Sequence, residues 1–235
     1  MKKTLRNIVA ILCLNAFVLP VHAQAMWALL FGKKIHNDKL SLGVHLALAA
    51  SDLTKTESNL LPGISFGAYT NLKFSNKLTL SNYFIFKSSR GANDVPLAYQ
   101  IQPNVPGAEN ATIRRKLTYI EISPLMRYNL TPELSLAAGP QLAARTVAKD
   151  IYRQTLGDGG KEILIYKIKD NINWFDFSAA ADIQYAFYKG KGIRLNFRFS
   201  QGFTNVYKDP IPFQAKNQYF QLGVGIPIAT GSDKQ

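Results

Sequence analysis

The chain has 235 residues, with 28 Lys and Arg against 15 Asp and Glu for a formal charge of +13, and 47% of its residues are hydrophobic. That much apolar side chain excludes a disordered polymer, and the length allows one large domain or two small ones. A single cysteine and three histidines remove most thiol and imidazole chemistry at the outset.

The first element is a leader. Lys2, Lys3 and Arg6 precede an apolar stretch over residues 8–19 and a small-residue site, Val21-His22-Ala23. The pattern predicts a Sec signal peptide over 1–23, removed on export, and the apolar run is too short to span a bilayer. Cys13 would leave with it, so the mature chain is expected to have no disulfide and no thiolate nucleophile. His36 and His45 alone cannot build a zinc site of the usual Cys and His clusters. No catalytic, metal or cofactor-binding residues are therefore expected. Residues 24–38, with Trp27, read as a periplasmic N-terminal segment.

From residue 39 the dominant signal is period two, which marks strands with one apolar face. Leu40, Leu42, Val44, Leu46 and Leu48 make the first face, and Ile64, Phe66, Ala68, Leu72 and Phe74 the second. Leu78, Leu80, Phe84 and Phe86 form a third, and Ile120, Ile122, Met126 and Tyr128 a fourth. After a turn at Thr131-Pro132-Glu133 come Leu134, Leu136, Ala138, Leu142 and Ala144. Phe175, Phe177, Ile183, Tyr185 and Phe187 follow, then a turn at Lys189-Gly190-Lys191-Gly192. Ile193, Leu195, Phe197 and Phe199 make the seventh face, and Phe220, Leu222, Val224, Ile226 and Ile228 the eighth.

Links after strands two, four and six are short; those after strands one, three, five and seven span roughly 52–62, 91–114, 150–171 and 204–216. Long strands with alternating short and long links are the pattern of an outer-membrane barrel. The expected fold is all-β: an eight-stranded antiparallel up-and-down transmembrane β-barrel over 39–228, with a tail at 229–235. A soluble lipocalin-like binding barrel is the alternative with the same strand number. Parity puts polar residues inside, among them Ser41, His45, Tyr69, Asn71, Lys73, Tyr83, Gln141, Gln184, Asn196 and Gln221. An inverted polarity of this kind suits lipid outside, and eight strands leave a lumen only wide enough for side chains.

Met26-Trp27-Ala28-Leu29-Leu30-Phe31-Gly32, Pro62-Gly63-Ile64-Ser65-Phe66-Gly67, Tyr119-Ile120-Glu121-Ile122-Ser123-Pro124-Leu125 and Leu136-Ala137-Ala138-Gly139-Pro140-Gln141 together carry a resemblance. The chain resembles the PorT-like outer-membrane β-barrel family of the Bacteroidetes over nearly all of its mature length. Ser123 and Pro124 depart from the family pattern, in which Pro arrives one place earlier. The resemblance implies the cell outer membrane and a non-enzymatic structural or accessory role, with a link to type IX protein secretion through its namesake. A narrow porin-like channel is the other reading kept open.

Two residue sets stand out as candidate sites. Glu121, Arg127, Asp176, Asp182, Arg194 and Arg198 are expected to form a polar network in the lumen, with Asp182 opposite residue 199 and Arg198 on the diagonal. Lys87, Arg90, Arg114, Arg115, Lys116, Arg145 and Lys149 are expected at the outer rim, where they would bind lipopolysaccharide phosphates. Trp174, Tyr119 and Tyr128 fit interfacial positions. His45 reads as a satisfied lumen hydrogen-bonder. The glycine-rich Gly157-Asp158-Gly159-Gly160 lacks the lysine and the helix of a phosphate-binding loop and reads as a loop tip. Residues 161–169 read as a short hairpin arm with apolar Ile163, Ile165 and Tyr166. Envelope lipid and other envelope or secretion proteins are the expected partners; export argues against nucleic acid despite the charge.

Overall fold

The computed structural model describes residues 40–102, 105–107, 111–155 and 160–229. The signal peptide, Trp27, His36, residues 157–159 of the glycine run and the tail from 230 lie outside the described residues.

Nine strands follow one another: β1 (Leu40–Leu53), β2 (Leu61–Lys73), β3 (Leu78–Val95), β4 (Ala111–Asn129), β5 (Leu134–Thr155), β6 (Lys161–Lys167), β7 (Phe175–Ala186), β8 (Arg194–Gly202) and β9 (Asn217–Ala229). All pairs are antiparallel, in one sheet of order β4-β3-β2-β1-β9-β8-β7-β5-β6 in which β4 pairs with β5 as well. This corrects the expected eight-stranded up-and-down barrel. The sheet has nine strands, and β6 sits at one end of it, paired only with β5, while β5 also pairs with β7. The up-and-down succession is thus broken where β5 folds back on itself before returning to β7.

Alternation builds these strands and assigns their faces. In β7 every odd residue from Phe175 to Tyr185 is exposed and every even one buried. The exposed set is apolar, including Leu48, Ile64, Phe86, Ile122, Phe177 and Leu222, whereas His45, Glu121, Arg127, Gln141, Asp182 and Arg198 are buried. A water-soluble sheet distributes these residues the other way round. Glycines make room inside: a Cβ on Gly43 would lie 2.3 Å from the Tyr69 ring, and one on Gly223 2.5 Å from the His45 ring.

Three tight turns share one end of the sheet, closed by Phe74 N–H to Leu78 O, Leu130 N–H to Leu134 O and Phe187 N–H to Ile193 O. The other end carries the longer links. There the stretches expected as loops at 91–114 and 150–171 are mostly strand, because β3, β4 and β5 run for 18, 19 and 22 residues. At about 3.3 Å per residue these three strands overreach the hydrocarbon of a bilayer. In their upper parts the polarity reverses. Ile113, Leu117, Ala148 and Tyr152 are buried. With Val105, Ile172, Val206 and Tyr207 from the links they form an apolar core over the end of the polar interior. A reading that took apolar residues as outward loses the strand at that reversal.

Candidate functional site

The interior is organised around Arg90. A β-bulge between Ile85 and Ser88 shifts the parity of β3, so that Ser88, Arg90 and Ala92 continue the inward face begun by Tyr83 and Ile85. Arg90 Nη1 donates to Asp176 Oδ2 at 2.5 Å and Nη2 to Glu121 Oε2 at 2.7 Å. Its guanidinium lies between the Tyr119 and Tyr219 rings, 4.7 and 4.6 Å from their centroids. Glu121 also accepts from Ser123 Oγ and from Gln141 Nε2 at 2.6 Å. Arg90 was expected at the rim; the bulge that turns it inward leaves no mark in the pattern of residue types.

Closer to the turns a second knot holds Asp182. Arg127 Nη2 donates to its Oδ1 at 2.7 Å, Asn196 Nδ2 to its Oδ2 at 2.8 Å, and Arg198 lies 3.2 Å away. Asp182 stands directly opposite Arg198 rather than diagonal to it. The Arg198 guanidinium also sits 4.0 Å from the Tyr83 ring. Arg194 joins neither knot: it stacks 5.0 Å from the Tyr69 ring, and its buried Nε has no hydrogen-bond partner. His45 packs edge-on to Tyr83 at 5.1 Å, and its Nε2 is unpartnered, contrary to the satisfied hydrogen-bonder expected. Three guanidiniums, of Arg90, Arg127 and Arg198, thus meet three carboxylates. Such pairing is the condition for holding charge out of water.

The rim expectation divides. Arg115, expected to face lipid phosphates, is fully buried; its Nε and Nη2 clasp Asp150 at 2.8 and 2.6 Å, and its Nη1 donates to Tyr207 OH. Simple parity with Glu121, six residues on, already places Arg115 inward. Burial pushes the Tyr207 phenol up, and Arg115 offsets part of that. Arg145 also points in, donating to the carbonyls of Asn173 and Lys169 at 3.1 and 2.9 Å. Tyr119, expected at an interface, is buried as well. Trp174 and Tyr128 are exposed.

The remaining rim cations are drawn together. Lys116, flanked by buried Arg115 and Leu117, projects outward, directly opposite Lys149, which is itself opposite Lys167 on β6. Lys87 and Arg114 are close enough to act on Lys116. Its amine lies below the usual lysine range, first through burial and then through Lys149, Lys87 and Arg114. Like charges directly across a sheet repel, so this row concentrates positive potential at the rim. Lys167 was missed as a rim residue; the alternation of Ile163, Ile165 and Lys167 carried the signal. Among the described residues no group of three or more His, Cys, Asp or Glu is placed to hold a metal.

Residues 28–208 match a family described as outer membrane protein beta-barrel domain. No curated protein matches the chain. Among solved structures the chain is similar to Ail, the attachment invasion locus protein of Yersinia pestis, seen in complex with the heparin analogue sucrose octasulfate. The identity is 11% and the TM-score 0.40, over 80% of this chain and 97% of that one. It is also similar to Neisserial surface protein A (11% identity, TM-score 0.41, 80% and 96%) and to OprG of Pseudomonas aeruginosa (8% identity, TM-score 0.39, 82% and 98%).

Proposed function

The chain belongs to the outer membrane protein beta-barrel domain family, and from that membership we propose that it is a non-enzymatic structural or accessory protein of the outer membrane, exported by its leader, whose strands cross the bilayer and whose interior does not conduct. The observation that carries this reading is the filled interior. Two ion-pair knots, around Arg90 and around Asp182, occupy it, and the apolar core around Leu117, Tyr152 and Tyr207 covers it at the loop end. A diffusion path would have to break buried charge pairs, each costing several kcal/mol, on the order of 3–5. In planar bilayers the purified protein is expected to give no conductance steps; discrete, reproducible steps overturn the plug and bring the narrow-channel reading forward.

The PorT-like sequence motifs favour a role beside a secretion apparatus, exercised through loops and turns. Deleting the gene is then expected to leave C-terminally tagged cargo in the periplasm, and normal cargo release removes that role. At the outer rim, Lys87, Arg114, Lys116, Lys149 and Lys167 would receive lipopolysaccharide phosphates just above the apolar band. Surface lysines near anionic lipid are each worth about 1 kcal/mol. The pair Lys116→Gln and Lys149→Gln should therefore weaken binding of bisphosphorylated lipid A by about tenfold or more. Equal affinity of the variant and the parent, or for dephosphorylated lipid A, would remove the lipid from this site.

A further inference from the structure

At the turn end, beyond the Asp182 knot and opposite the rim, the interior widens into a cavity of about 610 Å³. Lys73, Lys77, Lys189, Lys191 and Arg194 line its wall, and Arg127 lies deeper. Among the described residues lining it, Glu133 is the one carboxylate. Asp182 neutralises Arg127 at 2.7 Å, and Glu133, which keeps its charge while accepting from Thr131 Oγ1 at 3.2 Å, offsets one of the remaining cations, so the wall stays net positive.

Arg194 marks the wall as a built one. It is the inward residue at the start of β8, its guanidinium is held over the Tyr69 ring, and its buried Nε is unpartnered. An arginine oriented by stacking holds its planar guanidinium fixed at the wall, the arrangement that suits contact with a phosphate. Lys189 is delivered by an unusual turn, in which Tyr188, Lys189 and Gly190 all have positive φ, at 52°, 53° and 84°. Two successive non-glycine residues in that region are uncommon and costly, a kind of strain that collects at functional sites. Residues 24–38 hold Lys33 and Lys34 against Asp38, so the sequence before β1 is itself net positive.

We infer that this cavity is a binding site for a small polyanion bearing several phosphate groups, entering from the turn end. The volume falls in the range of small-molecule sites, yet the walls are polar and cationic, so charge rather than apolar contact selects the ligand. Lysine ammonium groups act as point charges toward phosphate oxygens, and Arg194 adds a directed donor. Their placement on β2, on two separate turns and on β8 requires a ligand that presents charge in several directions. On the interior side the cavity ends against Arg127, which is paired with Asp182.

The test is calorimetric titration of inorganic tripolyphosphate into the full mature chain folded in detergent micelles. Saturable one-to-one binding is expected, weakening steeply with salt. Lys73→Gln combined with Lys189→Gln, both at exposed positions, should reduce affinity at least tenfold, whereas Lys55→Gln with Lys216→Gln, exposed at the opposite end, leaves it unchanged. The heat-dependent gel mobility of each variant shows that it is folded. Absence of saturable binding at millimolar tripolyphosphate overturns the inference. So does affinity lost equally in the Lys55 and Lys216 variant, or a short poly-glutamate peptide binding more tightly than tripolyphosphate, which would make the site one for an acidic protein segment.

Discussion

Replacing Arg90 by Met is expected to lower the unfolding free energy by about 3–5 kcal/mol, the largest effect of any single substitution in the interior. The loss comes less from the contacts removed than from what stays behind. Glu121 Oε2 and Asp176 Oδ2, 2.7 and 2.5 Å from the guanidinium, would face each other's charge in a space closed to water. The cation stacked between Tyr119 and Tyr219 would go as well. Adding Glu121→Gln and Asp176→Asn to Arg90→Met should recover a large part of the loss, since uncharged amides can still hydrogen-bond to Tyr219, Gln141 and Asn217. Denaturant unfolding of the protein in lipid vesicles measures both. A cost below about 1 kcal/mol for Arg90→Met would mean that water reaches the network and that the interior is not plugged.

Leu222→Arg is expected to cost about 2–4 kcal/mol in the same assay. Leu222 projects from the outer face of β9, 60% exposed, with Leu48 and Phe197 opposite it on β1 and β8. In water an exposed leucine changed to arginine is close to neutral. In the middle of a bilayer the same change places a guanidinium in hydrocarbon. The sign of the result therefore separates a face dissolved in lipid from the soluble, lipocalin-like alternative. Unchanged or improved stability, with the variant remaining in the aqueous fraction, would overturn the membrane assignment of this face.

Much of the site was legible residue by residue, and little of it pair by pair. Glu121, Arg127, Asp176, Asp182 and Arg198 lie on inward faces that parity alone assigns, as do Tyr69, Gln141 and Asn196. Their partners do not follow from parity. Arg90 reaches Glu121 and Asp176 only because the bulge between Ile85 and Ser88 turns it inward. A second irregularity, between Thr118 and Tyr119 in the pairing of β4 with β5, lets Arg145 and Asp150 both point in despite their unlike parity. A bulge adds one backbone residue and leaves composition untouched, so no alternation rule registers it.

The sequence by itself determined the apolar-faced stretches of eight strands and the three tight turns between them, because a pleated strand sends successive side chains to opposite sides whatever surrounds it. Only the tertiary structure decided that residues 161–167 join the sheet beside β5 as its ninth strand, that Arg90 and Arg145 belong inside, and that the loop end closes over an apolar core. Those outcomes depend on register, on bulges and on which link folds across which opening. Each is a relation between segments far apart in the chain, settled by the cost of burying charge without a polar partner and by the removal of apolar surface from water.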